Sequence, residues 1–154
     1  MAGSFQKNIQ IMTEKFNWHD EWNVRQDIQS ARYVADFCPV ERRYFPFECG
    51  WYVHTVMKYT ENPIWYCMLE YAKSEKIPYE PEFLRPSWDP LVCLCGIGNM
   101  EEYFVLSDFC DVKVTEKGFT VCIEGKGNAR YYIPTPKYRE AATIVNKCVK
   151  KCTY

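Results

Sequence analysis

The sequence has no apolar run approaching the ~20 residues of a membrane-spanning helix, so no helical membrane anchor is expected and no membrane partner. Its first residues, MAGSFQKNIQIMTEKF, scatter lysines and a glutamate among the apolar positions and leave no continuous hydrophobic region of a secretory signal. A soluble, cytoplasmic protein is expected. The sequence also lacks a GxxxxGK[ST] loop, a GxGxxG opening a helix, HExxH, GxSxG and an EF-hand loop, which removes the commonest nucleotide, zinc-protease, esterase and calcium chemistries. Histidine is scarce, with His19 and His54 only. If ECGWYVHT is helical, Cys49 and His54 diverge around the axis, which argues against a Cys–His catalytic pair. The acids beside His19 read as helix caps.

Cysteine is plentiful, but its spacing carries no metal signature. The count is nine, an odd number, and several lie inside apolar periodic segments. Reduced, buried thiols in a reducing compartment are expected. A zinc site would want two Cys-x-x-Cys pairs or Cys with His; the sequence offers Cys93-Leu94-Cys95, and Cys148 with Cys152 on one helical face. A site from Cys93, Cys95, Cys110 and Cys122 is the only metal alternative, and hydrophobic packing accounts for all four. Glu80/Glu82 and Glu101/Glu102 read as an extended segment and a helix first turn, not as facing catalytic carboxyls. No cofactor, metal or catalytic residue is expected, and an enzyme with an unrecognised site is the third-ranked reading.

What is abundant is aromatic and apolar surface. The 154 residues are 47% apolar, enough for one domain with its own core, and 17% aromatic, more ring than such a core usually needs. Tyr and Trp are the rings most often found in interfaces. Charge is unevenly distributed: residues 1–111 hold 10 Lys/Arg against 17 Asp/Glu, a balance of −7, and residues 112–154 hold 9 against 3, a balance of +6, which sum to −1. The basic part either docks on the acidic part or faces an anionic partner.

Periodicity gives the elements. Phe5, Ile9, Met12 and Phe16 predict a helix over about 4–16. Val24, Ile28, Ala31, Ala35 and Cys38 predict a second, capped by Asn17 or Asp20 and stopped by Pro39. VERRYFPFECG reads as irregular. Tyr52, Val53, Val56 and Met57 predict a third helix, turning at Thr60–Asn62 into a fourth with Ile64, Cys67, Met68, Tyr71 and Ala72 inward. IPYEPEFLRPSWDP is a crossing segment pinned by Tyr79, Phe83 and Trp88; Asp89-Pro90 starts a helix ending near Gly96 or Gly98, and Asn99 with Glu102 opens another through about Ser107.

From Cys110 the period becomes two. Cys110, Val112 and Val114, then Phe119, Val121 and Ile123, predict a hairpin. In EGKGNARYYIPTPKYR, the glycines and Asn128 suit a tight turn into a third strand near Ala129–Ile133, not a phosphate cradle, which would open a helix. Lys137–Lys151 predicts a last helix with Ala141, Ile144, Val145, Cys148 and Cys152 inward. The fold expected is α+β in a single domain over 1–154: a helical body over about 1–109, a three-stranded antiparallel meander over about 110–133 and a C-terminal helix over about 137–151.

The expected function is a non-enzymatic protein-binding module, an inhibitor or adaptor, with Trp51, Trp65 and Trp88 as candidate partner-binding rings. Small phage-encoded anti-CRISPR inhibitors share this profile of compact size without a catalytic motif; the likeness is one of kind and not of sequence. The runner-up is nucleic-acid binding through the basic hairpin and C-terminal helix, with Lys117, Lys126, Arg130, Lys137 and Arg139 as candidates.

Overall fold

The computed structural model describes residues 21–57, 63–78, 83–98 and 100–151. The expected helix over 4–16, the turn at 60–62, His19, Tyr79, the Glu80/Glu82 pair, Asn99 and Cys152 lie outside them. The described residues are mixed α and β, with six α-helices and seven strands in two sheets.

The helix expected to begin before Val24 and end at Cys38 is two. α1 (Trp22–Gln26) is capped by the Glu21 carboxylate, and α2 (Ile28–Phe37) by Asp27. Asp27 breaks the run because its carboxylate takes the Ser30 amide at 2.9 Å and the Ser30 hydroxyl at 2.6 Å, offering the backbone a cap in place of another helical turn. The irregular stretch that follows contains β1 (Arg42–Tyr44) and α3 (Phe47–Trp51). The expected third helix is a strand: β2 (His54–Met57) pairs antiparallel with β3 (Phe83–Pro86), so no αα-hairpin precedes α4 (Pro63–Ser74). Asn146 covers the other edge of β2, accepting from the Val56 amide at 2.7 Å and donating to the His54 carbonyl at 3.1 Å. A side-chain amide thus completes a two-stranded sheet as a third strand would.

α5 (Asp89–Ile97) starts at the predicted Asp-Pro and ends at Gly98, whose φ of +90° suits glycine. The helix expected from Asn99 to Ser107 is a turn leading into β4 (Phe104–Leu106). β5 (Cys110–Val114) and β6 (Thr120–Glu124) form the predicted hairpin; Val112 stands opposite Cys122, which shares its buried face, while Val121 and Ile123 of the expected apolar set are exposed.

β7 (Ala129–Pro134) does not continue a meander. The order is β1-β7-β5-β6, with β4 also paired to β7, so Cys110 meets Glu124 on one side and Ala129 on the other. Residues 125–128 therefore carry the chain around the start of β5. A Cβ on Gly127 would fall on the Cys110 carbonyl and 2.8 Å from Asp111 Cα, so only glycine lets the loop pass so closely. The sequence signal for a turn was right; which strand the turn leads to depends on the parallel partner β1, 87 positions before β7 by the pairing of Arg42 with Ala129. A 3₁₀ turn (Tyr138–Glu140) then leads into α6 (Ala141–Lys150), the shorter form of the expected last helix.

The main core joins α3, α5, β4 and α6 through Phe45, Cys49, Val53, Leu91, Phe104 and Val145. α4 buries Trp65 and Ala72 with Ile64, Met68 and Leu69 packed against them, so Ile64, Met68 and Ala72 of the expected inner face are inward, while Cys67 and Tyr71 face solvent.

The loop makes a clean test. Gly125→Ala meets nothing and incurs only the strain of its φ of +97°, about 1 kcal/mol; Gly127→Ala adds a collision with β5 and is expected to destabilise by about 3 kcal/mol or more, read from chemical-denaturation midpoints.

Candidate functional site

Of the three candidate tryptophans, none is a freely exposed ring. Trp65 is 5% exposed in the α4 core. Trp51 and Trp88 are half-buried around Phe47, with ring centroids 5.0 Å and 5.4 Å from it, and Trp88 Nε1 donates to the Phe47 carbonyl at 2.9 Å. The Trp88 indole lies on Gly50, where a Cβ would meet Cγ at 2.7 Å. Trp88 does pin the crossing segment, as expected.

The basic candidates do not form one stripe. Lys117 and Lys126 are exposed, but they sit at opposite ends of β6, whose five residues span about 17 Å. Arg130 is held inward, its Nε donating to the Ser107 carbonyl at 2.7 Å and its guanidinium 5.3 Å from the Phe109 ring. Lys137 pairs with Glu102 at 2.6 Å, and Arg139 lies 4.6 Å over the Tyr52 ring. Part of the basic segment thus docks on the acidic one, Lys113 to Asp36 at 2.9 Å being a further link.

Cysteine chemistry is also placed. Cys49, Cys95 and Cys110 are buried; Cys67, Cys93 and Cys148 are exposed, against the expectation of burial. Burial pushes the Cys95 thiol up to about 11 and the Cys49 thiol higher still, so both are protonated at neutral pH and poor nucleophiles. Cys49 donates to the Tyr132 carbonyl at 3.3 Å. His54 lies on a strand, not on a helix with Cys49. Among the described residues no three His, Cys, Asp or Glu side chains come together as a metal site.

The arrangement that stands out is α2. Its inner face, Ile28, Ala31 and Ala35, packs with Val24 on Val114 of β5. Its opposite face is apolar too. Tyr33 and Phe37 are each 67% exposed with ring centroids 5.0 Å apart, Val34 lies beside them, and Gln29 and Ser30 complete an arc without charge. Val40 and Trp22 are further large apolar side chains exposed in the same segment.

The face is held firmly. Asp27 caps the N-terminal end; at the other end Arg42 Nη1 donates to the Val34 carbonyl at 3.1 Å and also to that of Ala35. Asn128 Nδ2 donates to the carbonyls of Cys38 and Val40 at 3.1 Å each, so the EGKGN stretch serves to fix the exit of α2. Asp36 is set by Lys113, whose hydrogen bond holds its carboxyl below the usual carboxylate range.

Tryptophan is expected at interfaces on frequency alone. The available signal was α2 itself, where Ser30, Tyr33, Val34 and Phe37 recur at i, i+3, i+4 and i+7 opposite the stripe already assigned to the core. Comparisons with protein-family models, with curated proteins and with solved structures found no match.

Two outcomes follow for stability. Trp65→Ala is expected to cost about 3–5 kcal/mol, whereas Tyr33→Ala and Phe37→Ala remain within about 0.5 kcal/mol of the parent, measured by urea unfolding. Because the Asp36 pKa is lowered in the folded state, its contribution is present above the unfolded pKa and lost as pH falls through the folded one. The stability difference between the parent and Asp36→Asn should therefore be present at neutral pH and vanish on acidification, in paired unfolding curves over a pH series.

Proposed function

We propose that this protein is a non-enzymatic protein-binding module, an inhibitor or adaptor, that docks through the outer face of α2. The observation that carries the reading is the uncharged arc of Tyr33, Val34 and Phe37 on a helix whose other side already forms core. The spacing is that of an amphipathic helix laid into a groove, so the partner is a protein with an apolar, largely uncharged cleft wide enough for one helix turn or two. The aromatic pair supplies large contact area with few rotatable bonds, and rings of this kind are enriched among the residues that dominate interfaces. The separation of Lys117 from Lys126 favours this reading over a nucleic-acid surface, which would gather its cations along one backbone track.

The test is capture from extract of the source cells, after nuclease treatment and at moderate salt, with the parent protein and two variants. Phe37→Asp is expected to lose the partner, and Tyr33→Ala to weaken it roughly thirtyfold or more, about 2 kcal/mol. A Lys117→Ala/Lys126→Ala double variant is expected to retain it. If the bound species is nuclease-sensitive, is released by salt and is lost only in the lysine variant, the reading is wrong and the basic loops are the working surface.

A further inference from the structure

We draw no further inference here: the strongest candidate, the apolar outer side of α5 at Val92 and Ile97 with the groove it shares with α6, carries none, because nothing among the described residues shows what covers it.

Discussion

The guanidinium of Arg42 joins three parts of the chain, the end of α2, β1 and the loop before β7. It presents its donors in a fixed, planar fork. One arm reaches the Val34 and Ala35 carbonyls at the end of α2, where a cation also complements the helix dipole, and the other reaches the Asn128 side chain. The Arg42 amide donates to the Asn128 carbonyl at 2.9 Å, one residue before β7 takes up its register with β1. Asn128 in turn binds the carbonyls of Cys38 and Val40. Helix α2, the turn after it, the parallel strand pair and the loop around β5 are therefore one hydrogen-bonded unit.

This unit also explains which parts of the fold could be read from the sequence. The β5–β6 hairpin is local: Val112, Val114 and Val121 alternate with polar residues across a short turn, and pattern alone suffices. α4 and α5 have the length and the proline-led starts of helices. β1, β2 and β4 span three or four residues, too few to display a period, and each is a strand only because of a distant partner. Val53, Val56 and Met57 match helical spacing as well as any short run would, and the pairing with Phe83–Pro86 and the Asn146 side chain decides otherwise. Burial was hidden for the same reason: Trp65 fills a core and Trp88 covers Gly50, and the most exposed rings among the described residues are Trp22, Tyr33 and Phe37.

The charge asymmetry resolves into orientation more than stability. Lys113 with Asp36 and Lys137 with Glu102 link the basic segment to the acidic one, but both pairs are solvent-exposed, and exposed pairs are individually worth little. What holds α2 on β5 is the burial of Ile28, Ala31, Ala35 and Val114, with Gly118 close enough that a Cβ there would lie 3.3 Å from Ile28 Cδ1. The same buried residues fix the rotation of α2 about its axis, and the Lys113–Asp36 link is consistent with that rotation while adding little to the free energy of folding.

A ten-residue helix with no tertiary support would be mostly unfolded in water, because nucleation is costly and propagation over so few residues does not repay it. A partner that had to fold such a helix would lose much of its binding energy to ordering. In this protein the ordering is complete before any encounter: Asp27 caps the first turn, Arg42 and Asn128 fix the last, and the inner face is buried. The tilted contact of Tyr33 with Phe37 removes further rotamer freedom from the outer face. Exposing two rings costs solubility; preorganisation reduces only the ordering cost of any contact such a pair makes. A capping carboxylate, an arginine fork and an asparagine in a glycine loop therefore act together to hold α2 as a rigid element with Tyr33 and Phe37 on its outer side.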